Sequence, residues 1–257
     1  NAEVYSDDDW TDKLKQDGTK IYFQVGGQSL NAWQTTVAYC DSLTEIGYSL
    51  EKNYVDNFVV SNEHSRENIF TIPMDKTLYA TVFKNIFRTL HYVHGSALGR
   101  GAENGSSATL STLSTFGYGT PHQDPRFEFN FFADTVKVDD KVVMINNTTP
   151  LVYHPLSIKM QLTGAKYEKT AGARMKKYEI DRTAYDDGKL QNNDIVLYRY
   201  ADALLMQSEA MIRQGRNGDV PLNMVRARVG LSPLRNATLT DVLKERMLEL
   251  VWEGTRR

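Results

Sequence analysis

The sequence is poor in cysteine, because Cys40 is the only one among its 257 residues. This excludes a disulfide within the chain and a metal site built from several thiolates. Cys40 lies in an apolar helical pattern, where a small buried side chain is expected. Long apolar runs are also missing, since no window approaches the roughly 18 consecutive apolar residues of a membrane-spanning helix. The N-terminal residues show no signal peptide, and both ends are expected to be cuts through a longer chain.

An excess of charge of one sign is missing as well. The 30 Lys and Arg residues balance 32 Asp and Glu residues, for a net charge of −2. A protein that captures nucleic acid by electrostatics needs a basic excess or a basic face. Gly and Pro number 17 and 7, too few for a collagen-like or low-complexity chain. The composition therefore predicts a globular protein with a real core.

The motifs of common enzymes are absent too. No Gly-x-Ser-x-Gly nucleophile elbow occurs, and the glycine-rich run 95–105 lacks the Gly-Lys-Ser/Thr ending of a phosphate-binding loop. His91 and His94 have no acidic neighbour at ligand spacing, which favours a structural or solvent-facing role over a metal site. Paired acids for glycoside hydrolysis cannot be singled out. We therefore expect no catalysis, no cofactor and no metal.

Apolar residues at helical spacing predict helices at both ends of the chain. Residues 31–46 show this pattern, and residues 79–93 repeat it. Near the C-terminus, Asp194 is expected to cap a helix that runs to about residue 214. A second helix begins near Asp219, with Pro221 in its first turn.

A last helix follows Thr238 and Asp241, which have the spacing of a capping box, and it extends to about residue 253. The middle of the chain is different. Short strands are expected near Ile69–Ile72 and over 127–132, 135–138 and 142–145. Residues 95–125 follow no regular pattern, and such long segments are usually functional or mobile.

Several sequence blocks together resemble the SusD/RagB family of outer-membrane glycan-binding lipoproteins. They are, in chain order, GYSL at 47–50, ENIF at 67–70, DPR at 124–126, RYADALLMQSEA at 199–210, VRARVGL at 225–231, ERMLEL at 245–250 and EGTR at 253–256. The resemblance covers nearly the whole chain, with looser agreement over 95–120 and 127–190.

The resemblance implies a mainly α fold, SusD-like, with tetratricopeptide-like helix pairs, irregular loops and a few short β-strands. The chain would be a single truncated domain. Residues 1–93 would be helical with a short strand, residues 94–193 would form a loop-rich binding subregion, and residues 194–257 a helical tetratricopeptide-like unit. Family members are about twice as long, so a front half with the lipid anchor and a tail after Arg257 are expected elsewhere.

The resemblance also implies a function. It is non-catalytic binding of an oligosaccharide or polysaccharide at the bacterial outer-membrane surface, with delivery to a SusC-like TonB-dependent transporter. Membrane contact would be through the lipid anchor alone, and no nucleic acid would be bound. The alternative is a helical-repeat scaffold that binds a protein or peptide, and a glycosidase is a third hypothesis.

Sugars present hydroxyl groups and flat C–H faces, so their sites combine aromatic rings with hydrogen-bonding side chains. The irregular segment supplies such residues, and a plain surface loop is the alternative interpretation. The candidate glycan-binding residues are Tyr92, Arg100, Asn104, Phe116 and Tyr118, with His122 nearby.

Charged residues on or beside the C-terminal apolar stripes have another interpretation. Buried charges must be paired, which favours structural ion pairs between helices over an anion site. These residues are Arg199, Asp202, Glu209, Arg226, Arg246, Glu249, Glu253 and Arg256. Asp124 and Arg126 are interpreted in the same way, as an ion pair that fixes a turn. Which glycan is bound depends on loop geometry, which residue spacing does not encode.

Overall fold

A computed structural model describes residues 18–78, 88–184 and 191–254. The chain divides into two compact units. A helical unit combines the residues up to Leu50 with those from Arg199 onward, and a loop-rich unit spans Glu51–Tyr198. Most of the helix expected over 79–93 lies outside the described residues, and the threefold division of the chain stays a prediction.

The fold is mainly helical, with short strands. The helices are α1 (Ala32–Glu45), α2 (Tyr92–Ala97), α3 (Leu110–Thr115), α4 (Phe127–Asn130), α5 (Tyr200–Arg213), α6 (Asp219–Arg228) and α7 (Leu239–Leu250). The strands are β1 (Tyr22–Val25), β2 (Gln28–Asn31), β3 (Asn68–Ile72), β4 (Phe131–Phe132), β5 (Asp134–Thr135), β6 (Lys137–Val138), β7 (Lys141–Val142), β8 (Val152–Tyr153), β9 (Arg174–Met175) and β10 (Ile195–Arg199). In the part of the chain that is described, no helix has the length and apolar character needed to cross a bilayer.

In the helical unit, α5 packs against α1, α6 and α7. The predicted helix at 31–46 is confirmed as α1, and Asn31 and Gln34 close a capping box at its start. Val37 and Cys40 form its buried face. The Cys40 thiol donates a hydrogen bond to the Ala203 carbonyl at 3.2 Å. Burial, reinforced by the negative charge of nearby aspartates, raises the pKa of Cys40 to about 11.

The predicted starts of the last two helices are also confirmed. Helix α6 begins at Asp219, with Pro221 in its first turn. Thr238 and Asp241 form the expected capping box at the start of α7, which satisfies two backbone N–H groups that would otherwise lack partners.

A cluster of buried charges ties α7 to the residue that precedes α5. The Arg199 side chain is fully buried, with Nη1 2.6 Å from Glu249 Oε1 and Nε 2.8 Å from Glu253 Oε2. Arg228, at the end of α6, also pairs with Glu249. Two carboxylates thus compensate the buried guanidinium of Arg199, as burial of a charge requires.

Two further ion pairs join helices of the same unit. Arg226 Nη1 lies 2.8 Å from Glu245 Oε2, and Arg246 Nη2 lies 2.7 Å from Asp202 Oδ1. Burial raises the pKa of Asp202 above its ordinary value, although the positive charge of Arg246 acts in the opposite direction. The Arg226–Glu245 pair therefore links α6 to α7, and the Arg246–Asp202 pair links α7 to α5.

Not every expected ion pair has this role. Glu209 pairs at 2.8 Å with Arg213, one turn along the same helix and partly exposed, so it does not join two helices. Arg256 lies outside the described residues. Arg228 and Glu245 were not among the residues expected to pair.

The loop-rich unit contains several separate two-stranded sheets: β3 with β10, β4 with β9, β5 with β8, and β6 with β7. One of its core clusters consists of Val136, Val143, Leu151 and Tyr153, with Val93, Phe132 and Val138 packed against it. The strand expected over 127–132 is correct only at its end. Its first four residues form α4, in which the Asn130 N–H donates to the Arg126 carbonyl and the Phe131 N–H donates to the Phe127 carbonyl.

The helix expected from Asp194 is also corrected. Residues 195–199 form β10, paired with β3, and the helix begins only at Tyr200. Asp194 does not cap it. Its carboxylate accepts hydrogen bonds from the Thr71 hydroxyl at 3.0 Å and the Met74 N–H at 2.9 Å.

Candidate functional site

The predicted binding segment begins at α2, whose buried side is a polar cluster around Tyr153. The Tyr153 hydroxyl accepts a hydrogen bond from the His91 N–H at 2.9 Å and lies 3.1 Å from His94 Nδ1. The His91 ring caps α2 by accepting from the Val93 N–H. Burial, aided by the nearby His91, lowers the pKa of His94 to about 4. His94 is therefore neutral at pH 7 and holds the start of the segment in place.

Tyr92 lies on the solvent-facing side of α2. It is 52% exposed, and its ring meets the His91 ring edge-on at 5.6 Å between centroids. Because His91 is buried and hydrogen-bonded, this contact supports Tyr92 from below. Tyr92 is the most accessible ring among the candidate glycan-binding residues.

Two polar candidates in the loop after α2 form hydrogen bonds to backbone carbonyls. Arg100 is buried, and its Nη1 donates to the Ala184 carbonyl at 2.6 Å. This corrects the expectation for Arg100, because its guanidinium does not face solvent. Asn104 is half-buried, and its Nδ2 donates to the Lys169 carbonyl at 3.0 Å. Asn104 stays a candidate at the edge of the segment.

Phe116 lies in the core. It is only 1% exposed, and its ring packs edge-on against Phe131 at 5.1 Å and against Phe127 at 6.2 Å. A sugar could contact this ring only if the core opened. The expectation that Phe116 presents its ring to a ligand is corrected.

Tyr118 is intermediate between these cases. Its ring packs 4.8 Å from Phe127, and its hydroxyl donates to the Asp134 carboxylate at 2.9 Å. Burial and the hydrogen bond to Asp134 raise the pKa of Tyr118 to about 12. One part of this ring remains accessible, while its hydroxyl is held by the carboxylate. His122, also named above, is exposed.

Asp124 and Arg126 fix the C-terminal end of the segment. The Asp124 carboxylate accepts from the Arg126 N–H, Nε and Nη2 at 2.8–2.9 Å, and both side chains are buried. The Asp124 N–H in turn donates to the Phe116 carbonyl. The segment expected to be irregular is therefore held at both ends by buried polar groups.

Arg174 is a buried residue that sequence reasoning missed. Its Nη1 and Nη2 donate to the carbonyls of Ser106 and Lys169, and its guanidinium lies 5.1 Å from the Tyr153 ring centroid. Among the described residues no carboxylate pairs with it. Burial lowers its pKa below the ordinary value. No sequence signal distinguished Arg174 from nearby cations of the same Lys-rich stretch, such as Lys169 and Lys176, which are exposed.

Sequence reasoning also missed a pair of exposed rings on the sheet formed by β3 and β10. Phe70 and Tyr198 are each 56% exposed. Their ring centroids are 6.4 Å apart and their planes differ by 26°. Ile72, two residues after Phe70, is also exposed. Ile69, Phe70 and Ile72 predicted a strand, but its solvent-facing side could not be identified without the partner strand.

No group of three or more His, Cys, Asp or Glu side chains that could hold a metal ion occurs in the ranges described. Of the candidate glycan-binding residues, Tyr92 is the one whose ring is largely exposed and rests on a buried polar residue.

Comparison with known proteins gives a consistent result. The sequence model described as the SusD family matches residues 16–257. No curated protein matches the chain by sequence.

Solved structures share the fold. Surface glycan-binding protein A from Bacteroides uniformis aligns with a TM-score of 0.59 at 22% identity, over 87% of this chain and 43% of that one. A SusD-like carbohydrate-binding protein from Bacteroides fragilis aligns with a TM-score of 0.58 at 19% identity, over 86% and 47%. Surface glycan-binding protein A from Bacteroides thetaiotaomicron, in complex with laminarihexaose, aligns with a TM-score of 0.57 at 17% identity, over 96% and 58%. The chain thus spans about half the length of these structures.

Proposed function

This chain belongs to the SusD family, and on that premise we propose that it is a non-catalytic glycan-binding protein of the bacterial outer-membrane surface. It binds an oligosaccharide or polysaccharide and passes it to a SusC-like TonB-dependent transporter. A lipid anchor on the full-length protein holds it at the membrane. Binding requires no cofactor.

The observation that carries this proposal is the extent of the family match, which covers residues 16–257. The fold itself is shared with surface glycan-binding proteins, one of which was solved with laminarihexaose. Binding without catalysis also suits the residues of the candidate site, where the buried histidine is neutral and the carboxylates of Asp124 and Asp134 are engaged by Arg126 and Tyr118.

Tyr92 is the proposed principal contact within the predicted segment. An exposed ring offers its face to the C–H groups of a sugar, and apolar contacts with aromatic rings exclude water from both. The support from His91 keeps the Tyr92 ring in place before the ligand arrives, which reduces the entropy lost on binding. Tyr118 and Asn104 lie in the same segment and are the proposed secondary contacts.

The experiment is a calorimetric titration of neutral hexasaccharides, including laminarihexaose, against wild type and a Tyr92→Ala/Tyr118→Ala double variant. The double variant should bind about two- to tenfold more weakly, as expected for loss of aromatic contacts. Tyr39→Ala is the matched control, because Tyr39 is equally exposed but lies on α1 in the helical unit.

Unchanged affinity for a confirmed ligand would place the site elsewhere, and failure of wild type to bind any glycan of a broad panel would contradict the proposed function. Turnover of reporter glycosides would instead favour the glycosidase hypothesis.

One observation favours the alternative, a helical scaffold for a protein or peptide. Tyr39 lies on α1 and Ile46 directly follows this helix, seven residues further on, and both are strongly exposed. An amphipathic helix of a partner could pack on these side chains. Binding of a protein or peptide that is lost in Tyr39→Ala but retained in the Tyr92→Ala/Tyr118→Ala variant would support this alternative.

A further inference from the structure

We propose that Phe70 and Tyr198 form a second carbohydrate-binding surface, on which the flat faces of neutral sugars pack. This surface, called the ring pair below, lies on the β3/β10 sheet, away in sequence from the segment that contains Tyr92. The inference rests on the proposed function, since it assigns further residues to glycan binding.

The ring pair is a consequence of strand geometry. Side chains alternate between the two faces of a strand, so Phe70 and Ile72 lie on the same face of β3. Tyr198 lies on β10, the strand that pairs with β3, and its ring contacts that of Phe70. At 6.4 Å and 26° the rings are offset and nearly parallel, an arrangement that aromatic pairs favour. Phe70 and Tyr198 nevertheless each stay 56% exposed.

The ring pair sits on a fixed backbone. Asn68, two residues before Phe70, donates from Nδ2 to the carbonyls of Asn57 and Asn62 at 3.3 and 3.4 Å. Thr71 donates its hydroxyl to Asp194, which directly precedes β10. The strands are therefore cross-linked by side chains as well as by the sheet. Rings held in this way lose little conformational freedom when a ligand binds.

The charge and size of the ring pair determine the kind of ligand. No residue of β3 is charged, and none of the β10 residues 195–198 is charged, so the surface favours an uncharged partner. The exposed apolar side chains are Phe70, Ile72 and Tyr198. They amount to a small patch, whereas a stable protein–protein interface buries about 800 Å² on each partner with some 20–30 residues. A patch of two flat rings instead matches the C–H faces of one or two sugar units, as aromatic residues in ligand sites do.

The test compares wild type with a Phe70→Ala/Tyr198→Ala double variant in titrations with laminarihexaose, maltohexaose and cellohexaose. The double variant should bind its best ligand at least about fivefold more weakly, because two aromatic contacts are lost. Tyr39→Ala/Ile46→Ala, which removes two exposed apolar side chains from α1 and the residue after it, should bind like wild type.

A second set of variants separates direct contact from a structural role. Phe70→Tyr and Tyr198→Phe preserve the rings and should retain wild-type affinity. Phe70→Trp places a fluorophore in the ring pair, and saturating hexasaccharide should change its emission relative to wild type. This readout stays decisive if the double alanine variant fails to fold.

The outcomes are distinguishable. If wild type binds none of the hexasaccharides or a broader glycan panel, the proposed function fails and the inference fails with it. Suppose that wild type binds a hexasaccharide, the double alanine variant has the same affinity, and the emission of Phe70→Trp does not respond to the sugar. Then only this inference is overturned. Weaker binding by the alanine variant together with a response from Phe70→Trp supports it.

Discussion

Two buried arginines, one in each unit, are compensated in different ways. In the helical unit, Arg199 is paired with the carboxylates of Glu249 and Glu253. In the loop-rich unit, Arg174 is equally inaccessible but donates to the carbonyls of Ser106 and Lys169. Most helix carbonyls are satisfied internally, so Arg199 relies mainly on carboxylates, with one further hydrogen bond from Nη2 to the Glu249 carbonyl in the last turn of α7. Irregular segments leave carbonyls free, and a guanidinium can bind them and fix the loop.

Amides take the same role elsewhere in the loop-rich unit. Asn62 is buried and donates to the carbonyls of Asn57 and Asp194, while its Oδ1 accepts from the Asp194 N–H. Such side chains replace the backbone ladder that two-residue strands cannot supply. The rings proposed to bind glycan therefore stand on a unit that is fixed by polar contacts to its backbone.

Arg199→Leu should give the largest effect on stability. The substitution leaves two buried carboxylates, of which Glu253 loses the pairing that Arg199 provided, and breaking a buried pair typically costs about 3–5 kcal/mol. Urea unfolding followed by circular dichroism measures the loss. The matched control is Glu209→Gln, which removes a partly exposed pair and should cost less than about 1 kcal/mol. Equal losses in both variants would contradict the comparison.

The second prediction concerns pH. His94 has a folded-state pKa of about 4, below its ordinary value of 6.5. The unfolded chain therefore takes up a proton between these values that the folded chain does not, so stability should fall as the pH falls from about 6.5 to about 4. At about 1.36 kcal/mol per pKa unit the decrease is of order 3 kcal/mol.

Urea unfolding at pH 7 and pH 4.5 tests this decrease, and His94→Gln provides the reference. The variant should lose less stability than wild type over the same interval, because its side chain does not titrate. A wild-type pH dependence identical to that of His94→Gln would exclude the assigned role, since the remaining groups, including His91, are common to both proteins.

Arg174→Leu should have the smallest effect of the three. Among the described residues, the substitution leaves no carboxylate without its ion-pair partner. The Lys169 carbonyl also keeps the hydrogen bond from Asn104. The expected cost is about 1–3 kcal/mol for carbonyls left without a donor. Hydrogen exchange should show faster exchange near residues 104–107 than in wild type. A loss as large as that of Arg199→Leu would mean that carbonyls and carboxylates compensate a buried arginine in the same way.

The sequence was most informative where one helix packs on others. Apolar periodicity predicted α1, α6 and α7, and Pro221 and the capping box of Thr238 and Asp241 predicted where α6 and α7 begin, because these signals are local. It failed at β10, where the run Ile195–Tyr198 is apolar enough for a helix or a strand. The distant strand β3 decided between them through pairing.

Burial within the loop-rich unit could not be predicted in the same way. Phe116 and Tyr92 occur in the same segment and both are aromatic, yet one lies in the core and the other in solvent. The packing of Phe116 against Phe127 and Phe131 depends on the fold of the segment, which has no periodic pattern. The exposed side of β3 could not be predicted from the sequence either, because it depends on the strand that pairs with β3.

The burial of Cys40 makes it simpler to label the protein with a dye for measurements of sugar binding. Its thiol is buried and donates to a carbonyl, and its pKa of about 11 keeps it protonated near neutral pH. Since thiol-reactive dyes attack the thiolate, the native protein should stay almost unlabelled under mild conditions. A cysteine introduced at an exposed position beside Tyr92 or Tyr198 would then be the one labelled site. Cys40 would not have to be replaced first.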